Sequence, residues 1–267
     1  FQMAETILVN FHCHTLFSDG ELTPEMLAAN LAAANVRYAA LTDHDSLEGY
    51  PRFQEAARKH GISILTGLEL TTRFNGREAH LLAYGFDPAN AELTNTLLSL
   101  RQARNLEVHS IAGSLRKAGN IRSQAADTSS PTNAAPNGFL EAGEAIALIH
   151  RAGGYAFWAH PLLFEADFNE LELLAEELKS KGLDGIEAIY ASFSERDQAS
   201  LHQLAQKLDL LVCAGTDYHG NNGPGSLAYG IEMPRAEWIR FRNNVFSAST
   251  FSQDAISAEH SEAQAHV

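Results

Sequence analysis

The sequence predicts an α/β fold in which parallel strands close into a barrel. Short apolar runs alternate with helical segments along most of the 267 residues, and this alternation is typical of βα units around a parallel sheet. Roughly seven such units favour a barrel over an open sheet. Most of the apolar runs also end at a histidine or an acidic residue, as reactive residues do at the C-terminal ends of barrel strands.

A chain of 267 residues suits one large α/β domain or two modest ones. With 45% hydrophobic and 19% charged residues, it can bury a normal globular core. Cys13 and Cys213 lie inside apolar runs, so we expect buried thiols in a reducing cytoplasm rather than a disulfide. No run approaches the roughly eighteen apolar residues that cross a bilayer. The expectation is a cytoplasmic protein with no membrane partner.

The chain is strongly acidic, with 33 acidic and 19 basic residues and a net charge of −14. Binding to long nucleic acid depends on a dense surface of lysine and arginine, so this balance opposes it. A small anionic substrate remains compatible if bound cations offset the local carboxylates. No protein partner is implied.

The first half of the chain contains four predicted strands, at residues 7–12, 38–42, 62–66 and 80–84. Between the first two strands, Thr23 is suited to cap a helix that begins at Pro24 and runs to Asn35. A second helix is predicted at residues 51–60 and ends at Gly61. Gly76 marks a hairpin-like turn before the fourth strand.

The second half repeats the pattern after an interruption. Residues 90–118 have helical character, and residues 120–140 are polar and rich in Ser, Thr, Asn and Pro, which predicts a loop or linker. Helices are then predicted at 140–151, 169–181 and 195–208, and strands at 155–159, 185–189 and 210–214. We expect a single domain over residues 3–246, with 90–140 as an insertion and 247–267 as a frayed tail.

Six histidines stand at or near the ends of the apolar runs: His12, His14, His44, His80, His160 and His219. Three acidic residues accompany them, namely Asp19, Glu69 and Asp217. Each alone has a structural explanation, such as a polar residue in a turn. Arriving together from separate βα units, they predict a cluster of divalent transition metals that turns water into a nucleophile.

The remaining histidines serve as a comparison. We assign them to surfaces, because they lie on predicted helices or in the tail: His60, His109, His150, His202, His260 and His266. Arg101 and Arg104 are either solvated helix charges or a clamp for a phosphate group. Glu48 and Glu187 are expected to be structural or exposed, although Glu187 ends a strand and can approach the site.

The combined motifs resemble the PHP (polymerase and histidinol phosphatase) family. They are His12-Cys13-His14-Thr15 with Ser18-Asp19-Gly20, Leu41-Thr42-Asp43-His44-Asp45, Gly67-Leu68-Glu69, His80, Ala159-His160-Pro161 and Gly215-Thr216-Asp217-Tyr218-His219-Gly220. The resemblance covers roughly residues 7–88 and 140–232 and is closest to small stand-alone phosphoesterases, including nucleoside 3′,5′-bisphosphate phosphatases. It implies a distorted (β/α)7 barrel that holds two or three divalent metal ions (Mn, Fe or Zn) at the C-terminal ends of its strands.

The resemblance also implies three ligand sets. They are His12, His14, Glu69 and Asp217; then Glu69, His80 and His160, with Glu69 bridging; and finally Asp19, His44 and His219. One departure concerns the segment before the strand that ends in His160. Family members of this type usually carry a helical insertion of several tens of residues there, which caps the substrate pocket, whereas the corresponding region is short in this chain.

The function that follows is hydrolysis of a small phosphomonoester by a metal-bridging hydroxide. A nucleoside 3′,5′-bisphosphate is the first candidate substrate, and histidinol phosphate or a cyclic phosphodiester are alternatives. Arg101, Arg104 or both would orient the phosphate, and Asp217 or His219 would manage the proton.

Two other classes stay open. A metal-dependent amidohydrolase typically needs a carboxylated lysine, but every lysine here lies on a predicted helix. A non-catalytic metal module would not require the complete ligand set.

Overall fold

The structure is a computed structural model, and it describes residues 5–103, 139–220 and 228–246. Several sequence-based predictions fall outside these residues. They are Arg104, His109, His260, His266, most of the insertion predicted at 90–140, and the tail predicted at 247–267.

The described strands form two sheets. The first has four strands in the order β10-β1-β2-β3, with β1 at Thr6–Asn10, β2 at Tyr38–Ala40, β3 at Ser63–Leu65 and β10 at Ile231–Pro234. Strands β1, β2 and β3 are parallel, as predicted, and β10 pairs antiparallel with β1.

The second sheet has six strands in the order β6-β4-β5-β7-β8-β9. The strands are β4 at Gly67–Phe74, β5 at Arg77–Tyr84, β6 at Leu140–Glu141, β7 at Tyr155–Trp158, β8 at Gly185–Tyr190 and β9 at Leu211–Gly215. Neighbours β7, β8 and β9 are parallel, as are β4 and β6, but β5 is antiparallel to both β4 and β7. The α/β class is therefore confirmed, whereas the prediction of an all-parallel sheet is wrong at β5 and β10.

A tight hairpin explains the reversed strand. Only Asn75 and Gly76 separate β4 from β5, and both have positive φ, 50° and 75°. Two residues of this kind match the twist of antiparallel strands. The turn at Gly76 was predicted, but the strand before it, β4, was not.

Most of the helices begin and end close to the predicted bounds, whereas the two short helices at Pro161–Phe164 and Arg235–Phe241 were not predicted. They are α1 at Pro24–Ala33, α2 at Tyr50–Lys59, α3 over 91–103, α4 at Ala142–Arg151, α5 at Pro161–Phe164, α6 at Phe168–Ser180, α7 at Glu195–Lys207 and α8 at Arg235–Phe241. Thr23 caps α1 as expected, since its hydroxyl accepts a hydrogen bond from the Met26 amide at 3.3 Å. Helix α4 begins two residues later than predicted, because Leu140 and Glu141 pair with β4 instead. Within the described ranges, no helix combines the length and apolar character needed to cross a membrane.

Hydrogen bonds between the segment that follows β1 and the C-terminal end of β9, with the residues just beyond it, join the two sheets. The Phe11 amide donates to the Ala214 carbonyl at 3.0 Å, and the Asp217 amide donates to the His12 carbonyl at 2.8 Å. The fully buried Phe11 ring packs against Phe241, with ring centroids 4.8 Å apart. Aromatic residues of the core therefore pack against Phe11, which lies between the end of β1 and His12.

Candidate metal centre

The nine residues singled out as ligands are brought together at one end of the sheets. His12 and His14 follow β1, and His44 follows β2; His160 follows β7, and Asp217 and His219 follow β9. Glu69 lies near the start of β4 and contacts His44 through an isolated bridge. Neighbouring histidine rings are in contact, with centroids 4.1 Å apart for His14 and His219.

His80 reaches this cluster by a different route. It is in the N-terminal half of β5 rather than at the C-terminal end of a strand, as the barrel prediction required. Because β5 runs antiparallel, its N-terminal half lies at the edge where β4 and β7 end. His80 pairs with Thr71, and its carbonyl accepts a hydrogen bond from the Ala159 amide at 3.1 Å.

Glu69 lies at the centre of the cluster, with only 1% of its surface exposed. Its Oε2 atom is 3.0 Å from His12 Nε2 and 3.1 Å from His14 Nε2. Its Oε1 atom faces the other way, 3.0 Å from His80 Nδ1 and 3.3 Å from His160 Nε2. The two carboxylate oxygens therefore serve two separate groups of histidines.

Asp217 completes the group on the Oε2 side. Its Oδ1 atom is 3.2 Å from His12 Nε2 and 3.1 Å from His14 Nε2. The backbone at Asp217 has a φ of 55°, a conformation that non-glycine residues rarely adopt and that is common at functional sites.

Three groups of side chains place their ligand atoms within 4.8 Å of one another. They are His12, His14, Glu69 and Asp217; His44, Glu69 and His80; and His14, Asp19, His44 and His219. The first group coincides with a set implied by the resemblance. The second contains His44 where the resemblance implies His160, and the third adds His14.

Other carboxylates hold the ligand-bearing segments in place. Asp43 accepts hydrogen bonds from the Thr15 amide, the Thr15 hydroxyl and the Ser18 hydroxyl, each at 2.7 Å. These bonds order the turn that presents Asp19. Glu187 is fully buried and contacts both His12 and the His160 backbone, so it approaches the site, although it lies within β8 rather than at the end of the strand.

The cluster strongly perturbs the ionisation of its own members. Burial alone would raise the pKa of Glu69, but the charges of His44, His12 and His80 outweigh this effect, and the pKa lies well below its usual range. Burial would likewise lower the pKa of His14, but the adjacent carboxylates of Asp217 and Glu69 raise it to about 9. The carboxylate at the centre is therefore ionised at neutral pH.

The pKa values of two other histidines shift in opposite directions. The pKa of His80 rises to about 9, because the nearby Glu69 carboxylate outweighs burial. The pKa of His44 falls to about 4, because burial and the neighbouring His14 and His80 cations outweigh Glu69. In the absence of cations, protons on some histidines therefore neutralise the carboxylates.

A cleft of about 560 Å³ opens onto the cluster. Its walls are formed by Phe17, Ser18, Asp19, His44, Thr71, Glu78, His80, Arg101 and Phe139. The Arg101 guanidinium lies in this cleft and contacts the Glu48 carboxylate. The structure thus places Arg101 at the mouth of the site, while Arg104 lies outside the described residues.

The histidines assigned to surfaces stay apart from the cluster where they are described. His60 follows the last residue of α2, and His150 bonds to Asp184 Oδ2 at 2.8 Å on the opposite side of the fold. His202 is half-buried and lies 3.6 Å from Glu237 Oε1.

The donor atoms fit divalent cations. Among the described side chains, the buried His14 Nε2 and His80 Nδ1 atoms have no hydrogen bond of acceptable geometry, yet both point at Glu69 oxygens. Convergent imidazole nitrogens and carboxylate oxygens are ligands that manganese, iron and zinc accept. A bound cation would satisfy these buried nitrogens and the carboxylate oxygens together.

Comparison with known families settles the class of the protein. A model of the PHP domain matches residues 10–209, about three quarters of the chain. The chain belongs to the PHP family. The match spans seven of the nine candidate ligands, and Asp217 and His219 follow just beyond it.

Several PHP relatives align with most of this chain. A Haemophilus influenzae protein named 5′-3′ exoribonuclease is 28% identical, covering 79% of this chain and 89% of the relative. A 3′,5′-nucleoside bisphosphate phosphatase from Chromobacterium violaceum is 26% identical, covering 85% and 92%. A phosphoribosyl 1,2-cyclic phosphate 1,2-diphosphodiesterase from Eggerthella lenta is 27% identical, covering 81% and 96%.

Solved structures share the fold. A protein from Bifidobacterium adolescentis described as a metal-dependent phosphoesterase superposes with a TM-score of 0.69 at 24% identity, over 91% of this chain and 96% of that one. A Chromobacterium violaceum protein described as an amidohydrolase gives 0.72 at 23% identity, over 87% and 96%. Family membership and the sequence relatives together support a hydrolytic enzyme of the metal-dependent phosphoesterase class.

Proposed function

We propose that the protein hydrolyses a small phosphomonoester with two or three divalent cations held by the nine clustered residues. The observation that carries the proposal is the position of the Glu69 carboxylate. Its two oxygens contact different histidines, at distances of 3.0–3.4 Å. A carboxylate in this position would be able to hold a cation on each of its two sides. Metal-ion pairs of this kind stabilise the attacking and leaving oxygens of a phosphoryl transfer.

The proposed ligand sets follow from the contacts. His12, His14 and Asp217 would hold one ion with Glu69 Oε2, and His80 and His160 would hold a second with Oε1. Asp19, His44 and His219 would hold a third, because Asp19 Oδ1 is 3.2 Å from His219 Nε2 and Oδ2 is 3.7 Å from His44 Nε2. Manganese, iron and zinc all suit these donors.

When bound, the cations supply a water that is acidic enough to react near neutral pH and a positive field for the phosphoryl oxygens. The residues of the chain orient the reactants. His219 Nδ1 donates to the Asp217 carbonyl at 2.8 Å, which leaves its Nε2 atom to ligate or to take up a proton. Arg101 lies close enough to the cleft to clamp a phosphate through its planar fork, and we propose the same role for Arg104.

A nucleoside 3′,5′-bisphosphate is the substrate that we propose first. The relative from Chromobacterium violaceum named for this activity aligns over 85% of the chain. A cyclic phosphodiester is an alternative because the Eggerthella lenta relative is named for one. Histidinol phosphate remains a further alternative, since the metal motifs do not distinguish it.

Cleavage of RNA from its 5′ end is the second candidate function. The Haemophilus influenzae relative is named for that activity and aligns over 79% of the chain. The net charge of −14 favours short oligonucleotides over long strands, because long strands need a basic surface.

An amidohydrolase activity has less support. Among the described lysines, Lys59, Lys179, Lys181 and Lys207 lie in or directly after helices and contact groups outside the cluster. None of these four is placed to bridge cations as a carboxylated lysine would.

We also propose that the two sheets, joined by the Phe11–Ala214 and His12–Asp217 hydrogen bonds, are the halves of the distorted barrel.

The test is release of inorganic phosphate or nucleotide by manganese-reconstituted protein. The substrates would be adenosine 3′,5′-bisphosphate, AMP, histidinol phosphate, a cyclic phosphodiester and a short 5′-phosphorylated oligoribonucleotide. We expect the bisphosphate to be strongly preferred. A preference for the oligoribonucleotide would favour the second candidate.

A pair of variants links turnover to the cluster. Glu69→Gln keeps the shape of the side chain but loses the charge shared by the two groups of histidines, so we expect turnover to fall by at least about 100-fold. His60→Ala removes a histidine outside the cluster and should leave turnover unchanged. Full activity of a metal-depleted Glu69→Gln protein would contradict the proposal.

A further inference from the structure

Strand β8 contains a bulge beside the cluster. Along β8 and its partner β9, Glu187 pairs with Cys213, whereas the next pair is Ile189 with Ala214. Two steps on β8 therefore correspond to one step on β9, and Ala188 is the extra residue. Bulges of this kind re-aim side chains and are frequent next to active sites.

The bulge changes which side chains share a face. In a regular strand, residues 187 and 190 would point in opposite directions, because side chains alternate. Here both reach the cluster. Glu187 lies 2.9 Å from His12 Nδ1, and the Tyr190 hydroxyl donates to Asp217 Oδ2 at 2.9 Å.

The two carboxylate oxygens of Glu187 accept hydrogen bonds from two different candidate metal ligands. Oε1 accepts from His12 Nδ1, while Oε2 accepts a hydrogen bond of 2.8 Å from the His160 main-chain amide. The side chain is fully buried. His12 contacts Glu69 Oε2, whereas His160 contacts Oε1, so Glu187 connects the two sides of the central carboxylate.

The neighbouring strand leaves room for this contact. A Cβ atom added at Gly215 would lie 2.8 Å from Glu187 Oε1 and 2.2 Å from His12 Cβ. No side chain can occupy that space while Glu187 and His12 keep their positions. The carboxylate, the histidine and the glycine therefore form one packed unit.

We propose that Glu187 is a positioning residue that orients His12 and His160 together, so that it supports the cations on both sides of Glu69. The proposal rests on the proposed function. A histidine that donates its Nδ1 proton to a carboxylate keeps Nε2 free for a metal, and such partners typically change metal affinity by about 10–100-fold. Glu187 would do this for His12 and fix the turn that carries His160.

A carboxylate is required because both of its neighbours are donors. Glu187→Gln presents one acceptor and one NH2 group, so it can accept a hydrogen bond from His12 Nδ1 or from the His160 amide but not from both. If the NH2 group faces His12 Nδ1, the imidazole must carry its proton on Nε2, and that atom can no longer bind a metal. The variant preserves volume and buries no new charge.

The experiment measures manganese binding by calorimetry and elemental analysis, together with the melting temperature of the metal-free protein. We expect Glu187→Gln to weaken at least one manganese site by about 10–100-fold. Glu187→Asp, which keeps the charge but shortens the side chain, covers the case in which the glutamine variant does not fold, and we expect the same loss from it.

The matched control is Glu237→Gln, which changes another carboxylate beside a histidine, 3.6 Å from His202 and away from the cluster. It should leave every manganese affinity unchanged. A folded Glu187 variant that binds manganese as tightly as the wild type, even if it melts earlier, would overturn the proposal. The proposed function fails separately if the wild-type protein itself binds no manganese.

Discussion

The hydroxyl of Tyr190 donates a hydrogen bond of 2.9 Å to Asp217 Oδ2, the carboxylate oxygen that does not face His12 and His14. This bond holds Oδ1 toward the two histidines. Removing it in Tyr190→Phe should weaken the cation on that side of Glu69 by about 10-fold and lower kcat, with the fold retained.

Calorimetric titration with manganese and steady-state kinetics would check the Tyr190 prediction. Tyr50→Phe is the matched control, because within the described ranges the Tyr50 hydroxyl accepts a hydrogen bond from Gln54, a residue of the same helix. Equal manganese affinity in the two variants would show that the Asp217 contact has no influence on binding.

Asp19 should affect fewer cations than Glu69. Its side chain is 54% exposed and approaches His219, His44 and His14 at 3.2, 3.7 and 3.6 Å. We expect Asp19→Ala to lose one bound ion per chain while the others keep their affinity. Elemental analysis after dialysis gives the number directly. Loss of every ion from Asp19→Ala would indicate a single cooperative cluster instead.

Binding of a divalent cation should release protons between pH 6.5 and 9. The pKa values of His14 and His80 are raised to about 9, so both are protonated at neutral pH in the metal-free protein, whereas His44, with a pKa of about 4, is not. Metal affinity should rise by up to about tenfold per pH unit for each proton displaced and level off above pH 9. Calorimetry in two buffers of different ionisation enthalpy counts these protons.

The same histidines should make the stability of the metal-free protein fall with pH, whereas metal affinity rises. A raised pKa stabilises the fold fully below the unfolded value of 6.5, and this contribution is lost as the pH rises through about 9. We therefore expect the melting temperature of the metal-free protein to fall over this interval. Saturation with manganese should remove the decline, because the ligated histidines no longer carry those protons. A flat profile without metal would contradict the assignment.

Gly215 should tolerate no side chain. A Cβ atom there would lie 2.2 Å from His12 Cβ, so Gly215→Ala must displace the strand or the histidine. Overpacking of this kind costs about 1–3 kcal/mol, and manganese affinity should fall as well.

Gly143→Ala is the control for the Gly215 prediction. The three atoms nearest to a Cβ atom at Gly143 would all belong to the flexible Lys181 side chain, the closest at 3.1 Å. Urea unfolding of the metal-free variants provides the comparison. Equal stability of the two variants would show that the site relaxes around Gly215.

The α/β class and most elements of the fold were predictable, because local signals specify them. Thr23 and Pro24 open α1, and apolar runs mark the parallel strands. Strand β4 was missed, although Asn75-Gly76 is a strong hairpin signal, because Gly67-Leu68-Glu69 was interpreted as the end of the previous strand. Strand β10 was missed because it has only four residues and ends at Pro234.

The residues of the candidate site could be predicted from the sequence, but the strand pairings that bring them together could not. The ligand types could be recognised because most of them follow an apolar run, and the structure brings them together. The reversal of β5, which delivers His80, depends on pairing with β4 and β7. The extra residue at Ala188 depends on the register with β9. No local pattern specifies a register between strands that are distant in sequence.

The distribution of the ligand groups along the chain has a consequence for synthesis. The group around Glu69 Oε2 combines His12 with Asp217, which are separated by most of the protein. Because a ribosome delivers the chain from its N-terminus, the pocket cannot close until residue 217 has left the exit tunnel. We therefore expect cation capture by this group to be a late event in biogenesis, because a truncated nascent chain lacks the Asp217 carboxylate.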